Sequence, residues 1–229
     1  EDFYIADVIF IIGQNPGTNH PRMLSALQKA KENGCTIISV NPLPETGLVA
    51  FKDPQSIKGA LGIKAKLTDI FLQVKINGDM ALLKAIIMRL YEEELKAPGT
   101  VFDLDFIKDN THNYDAFIEQ INKYSIDDLL EQAGISREQL EQTVEVFKSK
   151  KKIIACWAMG LTQHKNAVDT IKEVVNLLLV KGSIGKEGAG TCPVRGHSNV
   201  QGDRTMGIYE KPPQLFLNNI EKAFGFTPP

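Results

Sequence analysis

Continuous apolar runs recur along this chain, and each is followed closely by glycine or polar residues. Three of them are Val-Ile-Phe-Ile-Ile at residues 8–12, Thr-Ile-Ile-Ser-Val at 36–40 and Ile-Ile-Ala-Cys-Trp at 153–157. Runs of this length without regular polar alternation predict strands that are buried on both faces, as in a parallel sheet. A further strand is predicted at residues 70–74.

Apolar residues spaced three or four apart predict helices between these strands. A first helix is predicted over residues 21–33, with Pro21 in its first turn and Gly34 just past its end. A second is predicted over residues 80–94, and a long third one over residues 164–181. Each of these helices follows a predicted strand, as in repeated β-α-β units.

A helical region without strands is predicted over residues 103–150. It contains Ser-Arg-Glu-Gln at residues 136–139, a capping box that opens an amphipathic helix. A short helix is predicted at residues 215–224. The alternation of strands and helices predicts a doubly wound, mostly parallel α/β sheet of Rossmann-like type with an inserted helical region. We expect residues 1–207 to form this domain and residues 208–229 to extend from it.

Composition and charge narrow the classes of partner. The 229 residues are 43% hydrophobic and 24% charged, which is typical of a folded globular protein. A net charge of -2 gives no reason to expect a nucleic-acid partner. No apolar run approaches the roughly 18 residues of a membrane span, and no signal peptide is visible. We therefore expect a cytoplasmic protein without a membrane segment in this region.

The three cysteines, Cys35, Cys156 and Cys192, show no CxxC spacing. Their odd number and wide spacing argue against a disulfide framework, a zinc site or an iron–sulfur cluster held by this chain alone. We interpret Cys35 and Cys156 as small buried residues beside strands. Cys192 precedes the most unusual segment of the chain.

That segment, at residues 193–207, reads Pro-Val-Arg-Gly-His-Ser-Asn-Val-Gln-Gly-Asp-Arg-Thr-Met-Gly. It lacks an apolar period, so neither a helix nor a strand is predicted there. Arginine side chains and backbone N–H groups exposed at glycines suit an anionic ligand with several oxygens. A solvated linker would have the same composition.

Three polar loops, at residues 13–20, 41–45 and 158–164, directly follow predicted strands. Ligands of doubly wound sheets bind at the carboxyl ends of strands, where these loops are expected to meet. The candidate nucleotide-binding residues in and near these loops are Asn15, Thr18, Asn19, Asn41, Asp79, Gly160 and Gln163.

The first of these loops precedes a helix, whose free N–H groups and dipole favour an anion. The side chains of Asn15, Thr18 and Asn19 suit phosphate or ribose oxygens. The loop is not a GxGxxG motif, so the ordinary NAD fingerprint is absent. The alternative is an Asn-Pro-Gly turn in which Thr18 or Asn19 caps the helix.

The other candidates each have a functional and a structural interpretation. Asn41 follows the second strand, where dinucleotide folds place a ribose-binding carboxylate, but it can equally begin an Asn-Pro turn. The Asp79 carboxylate can accept two hydrogen bonds from guanine, or cap a helix. Gly160 would let the backbone approach a ligand closely, whereas His164 fits the first turn of a helix. No nucleophile–base–acid set is evident by spacing.

Five segments taken together resemble the molybdopterin oxidoreductases, in particular formate dehydrogenase alpha subunits and a closely related branch. They are residues 13–21, 40–42, 78–79, 157–163 and 193–202. The match runs in order over nearly the whole chain, and the last segment, Pro-Val-Arg-Gly-His-Ser-Asn-Val-Gln-Gly, is the most specific. The resemblance implies a molybdenum or tungsten centre held by two molybdopterin guanine dinucleotides, with one guanosine arm bound by a dinucleotide-fold domain.

The resemblance also implies roles for individual residues. It assigns phosphate or ribose contacts to Asn15, Thr18 and Asn19, and a ribose contact to Asn41. It assigns the guanine edge to Asp79, and pterin or pyrophosphate contacts to Gly160 and Gln163. Asn199 and Gln201 are assigned further cofactor contacts. It places Arg195 and His197 in the catalytic centre, with Arg195 beside the metal, steering an anionic substrate such as formate. His197 stands where formate dehydrogenases often carry glutamine, and this departure weakens the case for formate itself.

Two motifs of the family are absent from this sequence. Family members hold the metal through a cysteine or selenocysteine, usually followed by histidine, and many carry a four-cysteine cluster motif nearer the N-terminus. The sequence also begins without methionine. We therefore expect one domain of a larger enzyme, inactive alone, whose partners are the remaining domains and whose parent can carry a [4Fe–4S] cluster. The alternatives are a non-enzymatic nucleotide-binding or regulatory module and an interaction domain that uses residues 103–150.

Overall fold

The computed structural model describes residues 1–55, 59, 61–197 and 199–228. These residues form two compact units, Glu1–Val194 and Arg195–Pro229. The first unit contains the sheet, and the second contains most of the polar segment at residues 193–207. The predicted domain boundary at residue 207 concerns the whole protein and stays a prediction.

The first unit is built on a five-stranded sheet in which every pairing is parallel. Its strands are β1 (Val8–Ile12), β2 (Thr36–Val40), β3 (Ile70–Leu72), β4 (Ile153–Trp157) and β5 (Gly190–Pro193). Their spatial order is β3-β2-β1-β4-β5. The chain adds strands to one side of β1 as far as β3 and then returns to the other side for β4 and β5. The order of strands therefore reverses between β1 and β4.

Helices cover both faces of the sheet. In chain order they are α1 (Pro16–Asn19), α2 (Pro21–Glu32), α3 (Thr46–Val49), α4 (Asp79–Lys96), α5 (Leu104–Asn110), α6 (Tyr114–Ile121), α7 (Ile126–Ala133), α8 (Arg137–Ser149), α9 (Met159–Thr162) and α10 (Ala167–Val180). The second unit contains α11 (Val200–Thr205) and α12 (Gln214–Phe224). Among the described residues, no helix combines the length and the apolar character that a bilayer crossing requires.

The alternation of side chains along β1 divides the core into two apolar clusters. Val8, Phe10 and Ile12 pack in the cluster that includes α4, α8 and α10, whereas Ile9 and Ile11 pack in the cluster that includes α2. All five residues are at most 1% exposed. A strand buried on both faces explains why its sequence is continuously apolar. The predicted doubly wound α/β fold is confirmed.

Two ion pairs fix α4, the helix that begins at Asp79. The Arg89 guanidinium binds both carboxylate oxygens of Glu141 on α8, at 2.7 and 2.8 Å. Lys84 Nζ lies 2.7 Å from Glu173 Oε1 on α10, and both side chains are largely buried. Charge-assisted and bidentate contacts are the stronger hydrogen bonds in proteins, so α4 is held on two sides.

The helical region predicted over residues 103–150 contains the four helices α5 to α8. Its capping box is present: the Ser136 hydroxyl accepts from the Gln139 N–H at 3.2 Å, and Gln139 Oε1 accepts from the Ser136 N–H at 3.1 Å. The strands predicted at residues 8–12, 36–40 and 153–157 are confirmed at those bounds. The strand predicted at residues 70–74 ends at Leu72.

Two secondary-structure predictions are wrong in part. The long helix predicted over residues 164–181 begins only at Ala167, because the chain first forms the separate turn α9 and then a bend closed by the Ala167 N–H and the His164 carbonyl at 3.1 Å. The segment predicted to lack regular structure contains α11, none of whose residues is buried. An exposed short helix needs no apolar period, so the pattern gave no signal for it.

Candidate functional site

The loops after β1, β2 and β4 meet at one edge of the sheet. The Gly13 N–H donates to the Val40 carbonyl at 2.9 Å, and the Gly160 N–H donates to the Gly13 carbonyl at 3.1 Å. The side chain of Asn41 joins the same group, since its Nδ2 donates to the Gln14 carbonyl at 2.9 Å. This edge is the carboxyl end of the strands, at the point where their order reverses. Ligands of doubly wound sheets bind at such a point.

Gly13 and Gly160 bring the loops after β1 and β4 into direct backbone contact. A Cβ atom on Gly160 would lie 2.5 Å from the Gly13 oxygen, and Gly13 itself has a φ of +59°. Both positions therefore require glycine. Gly13 was missed by the sequence reasoning, although a glycine directly after a buried strand was a usable signal. The role of Gly160 in lining a cofactor stays a prediction. The contact between Gly13 and Gly160 leaves backbone without side chains at this edge of the sheet.

Substituting alanine for Gly160 is expected to lower the free energy of unfolding by about 1–3 kcal/mol, because the new methyl group forces two backbones apart. Gly196→Ala is the matched control, since a Cβ atom there has open space and no unusual φ. Urea denaturation of the two variants measures the difference. Equal stabilities would contradict the proposed tight contact.

Asn15 organises the loop between β1 and α2. Its Oδ1 accepts from the Thr18 N–H at 3.1 Å and so caps α1, while its Nδ2 donates to Glu45 Oε2. The predicted alternative, in which Thr18 or Asn19 caps the following helix, α2, is wrong, because His20 is the N-cap of α2 and makes no side-chain cap hydrogen bond. The side chains of Thr18 and Asn19 are exposed on the same turn. Their contacts with phosphate or ribose stay predictions.

Glu45 is a site residue that the sequence reasoning missed. It lies half-buried in the loop after β2, and burial raises the pKa of its carboxyl group. Its partner Asn15 is thirty positions away in the chain, so no local pattern announced the contact. Glu45 and the buried Asn41 line a cavity of about 90 Å³ together with Ser39 and Thr68. Four polar side chains thus contribute to the wall of a small cavity beside the carboxyl end of β2, together with apolar residues such as Leu48 and Phe71.

Asp79 is the first residue of α4, and Gly78 occupies the N-cap position. The alternative prediction that Asp79 is a plain N-cap is therefore wrong. Asp79 is 7% exposed, and none of the ion pairs among the described residues includes it. Burial raises the pKa of this carboxyl group, while its own backbone N–H and the charge of His164 act in the opposite direction. A buried carboxylate outside any ion pair is costly to keep ionised and is a candidate for ligand binding.

Gln163 and His164 follow β4 on the far side of the reversal point. Gln163 is the C-cap of α9, where its N–H donates to the Met159 carbonyl at 3.1 Å. Its side chain is exposed, and His164 is half-buried. The predicted contact of Gln163 with a pterin or pyrophosphate stays a prediction.

The remaining predicted residues belong to the second unit. Arg195 Nη2 donates to Gln201 Oε1 at 3.1 Å, and Asn199 is the N-cap of α11. Arg195, His197, Asn199 and Gln201 are all exposed. Ser198, which belongs to the same motif, lies outside the described residues. The catalytic and cofactor-binding roles of this group stay predictions.

A family model for the molybdopterin oxidoreductases matches residues 1–222. An uncharacterized oxidoreductase of Mycobacterium tuberculosis is 50% identical over 224 residues, which cover 98% of this chain and 29% of that protein. The F420-dependent formate dehydrogenase subunit alpha of Methanocaldococcus jannaschii is 32% identical over 207 residues, which cover 90% of this chain and 27% of that subunit. The chain therefore spans less than a third of the length of these relatives.

The fold has a counterpart among solved structures. Acetylene hydratase from Pelobacter acetylenicus superposes with a TM-score of 0.65 at 19% sequence identity, over 80% of this chain and 22% of that one. At this identity the likeness concerns the fold alone.

Proposed function

Because this chain belongs to the molybdopterin oxidoreductase family, we propose that its first unit binds the guanosine arm of one of two molybdopterin guanine dinucleotides in a molybdenum or tungsten enzyme. The observation that carries the proposal is the buried carboxylate of Asp79 after β3, which takes part in none of the ion pairs among the described residues. It follows the third of three adjacent strands whose ends carry polar groups. The bare backbone at Gly13 and Gly160 fits a cofactor that must approach the main chain closely.

The proposed contacts follow from the chemistry of each group. The exposed hydroxyl of Thr18 and amide of Asn19 bind phosphate or ribose oxygens, with Asn15 holding their turn in place. Asn41 binds the ribose. The ionised Asp79 accepts hydrogen bonds from the N1–H and N2–H₂ groups of guanine. Adenine presents an acceptor at N1, so the same carboxylate would repel it, and the site selects guanine.

The test is nucleotide binding measured by calorimetry on wild-type and Asp79→Asn protein. We expect GDP to bind more tightly than ADP, and Asp79→Asn to weaken GDP binding about tenfold to a hundredfold, since a hydrogen bond to a charged group contributes about 1.5–3 kcal/mol. Binding of ADP should instead tighten, because the amide no longer repels the adenine N1. Asp105→Asn, an exposed acidic residue in the first turn of α5, is the matched control.

The preference for GDP should also depend on pH. Burial raises the pKa of Asp79, so the carboxylate is lost at a higher pH than an ordinary aspartate as the solution is acidified. Guanine selectivity should fall through that range and be constant above it. Equal binding of GDP and ADP by folded wild-type protein, or an unaffected Asp79→Asn variant, would overturn the proposed guanine site.

For the whole enzyme we propose a two-electron oxidation similar to that of formate dehydrogenases. The bound metal supplies the redox chemistry, and the protein supplies binding, orientation and electrostatics. Arg195 steers a small anionic substrate such as formate, His197 lies beside it, and Asn199 and Gln201 bind the cofactor. The remaining domains of the same polypeptide, a [4Fe–4S] cluster and a cytoplasmic location belong to this proposal as well.

Metal and pterin analysis of the anaerobically purified full-length protein separates this proposal from its alternative. Molybdenum or tungsten together with a guanine dinucleotide would support the enzyme. A folded, fully expressed protein that binds GDP without metal or pterin would instead be the non-enzymatic nucleotide-binding module.

A further inference from the structure

Cys156 and Cys192 are direct partners on neighbouring parallel strands. Cys156 lies in β4, and its register partner in β5 is Cys192. Both side chains belong to the apolar cluster on the same face of the sheet, where Cys156 is fully buried and Cys192 is half-buried. Paired residues of neighbouring strands lie about 4.8 Å apart, within the separation of about 4.4–6.8 Å between Cα atoms that a disulfide spans.

We propose that Cys156 and Cys192 form a thiol modification site that reacts with hydroperoxides and closes to a disulfide between β4 and β5. Cys192 is the attacking thiol, because it is the more exposed of the two. Cys156 is the resolving thiol, because it is buried directly beside Cys192. The proposal does not depend on the identity of the cofactor or the substrate.

The electrostatics of the pair agree with these roles. The hydrogen bond from the Cys156 thiol lowers the pKa of Cys192, and the same bond raises the pKa of Cys156. The thiolate is the reactive form of cysteine, so Cys192 is the better nucleophile of the two. Cys35, the third cysteine, is buried in the same cluster, and burial raises its pKa to about 12. It should react much more slowly.

The reaction balances with a hydroperoxide as the oxidant. The Cys192 thiolate attacks one peroxide oxygen, so that an S–O bond forms and the O–O bond breaks. The leaving hydroxide or, from an alkyl hydroperoxide, the leaving alkoxide takes up a proton to become water or an alcohol. The Cys156 sulfur then attacks the Cys192 sulfur, the S–S bond forms, and the S–O bond breaks with loss of water. The two thiols lose two electrons, and the peroxide gains them.

Peptide mapping of the full protein tests this site. The protein is treated with one equivalent of hydrogen peroxide, quenched, denatured, alkylated with N-ethylmaleimide and digested with trypsin. We expect peptide 153–165 to be linked to peptide 187–195 with the loss of two hydrogens, while peptide 32–52 carries maleimide on Cys35. Dithiothreitol should restore alkylation at all three positions.

Matched variants assign the two roles. Cys35→Ser should leave the linked peptide unchanged, whereas Cys192→Ser should abolish it and leave Cys156 fully alkylated after denaturation. Circular dichroism checks that each variant is folded. If a variant does not fold, the peptide map of the wild-type protein still tests whether the disulfide forms. Oxidation of Cys192 to sulfinic acid with Cys156 still free, a disulfide that contains Cys35, or a link between two molecules would each overturn the proposal.

Discussion

Arg195→Met is expected to lower kcat/KM of the full enzyme for formate or another small carboxylate by about a hundredfold. The guanidinium offers two parallel N–H donors that match a carboxylate, and a hydrogen bond between charged groups contributes about 1.5–3 kcal/mol. Methionine keeps much of the side-chain length but removes the charge and every donor. The measurement is steady-state turnover at several salt concentrations, because the lost steering charge should also flatten the salt dependence of the rate.

Two further variants decide whether this loss belongs to substrate binding. Arg195→Lys keeps the charge without the planar pair of donors, so it should recover only part of the activity. Arg204→Met removes the other arginine of the same unit, which lies against Glu210 and Tyr209, and should have little effect. If both arginine-to-methionine variants lose activity equally, Arg195 has no special role in steering the substrate.

The strands of the sheet show which elements local sequence patterns can predict. β1, β2 and β4 were predicted at their observed bounds because each is buried within the sheet, and burial on both faces demands a continuous apolar run. β5 was missed, since Gly-Thr-Cys-Pro has little apolar character of its own. Its strand conformation comes from pairing with β4. That interaction is distant in the sequence and leaves no periodic trace.

Some residues of the candidate site could likewise be predicted from the sequence, and others could not. Asn41 and Asp79 could be selected from the sequence because each closely follows a predicted strand, and the ends of parallel strands gather at one edge. Glu45 could not be selected, since its importance lies in a contact with Asn15 in another loop. The structure also gives a different reason for the glycine at position 160. The sequence indicated room for a ligand, whereas the structure shows that the backbone of Gly13 already requires that glycine.

The position of Asp79 also depends on how the opposite end of its helix, α4, is held in place. Near the C-terminus of α4, the buried Glu94 carboxylate accepts hydrogen bonds from three backbone N–H groups, those of Gly99, Val101 and Phe102. The latter two bonds are 2.9 Å long and lie in the core. This one side chain therefore holds the loop that leads from α4 into the inserted helical region.

Glu94→Ala is expected to lower the free energy of unfolding by about 3–5 kcal/mol, since each buried N–H left without a partner costs about 1–3 kcal/mol. Glu94→Gln keeps an acceptor oxygen and should lose less. Glu119→Ala is the control, because that glutamate is also helical but exposed, and surface ion pairs contribute about 0–1 kcal/mol. Urea denaturation measures all three. A loss below about 1 kcal/mol for Glu94→Ala would mean that the loop finds other acceptors, and that α4 positions Asp79 without this anchor.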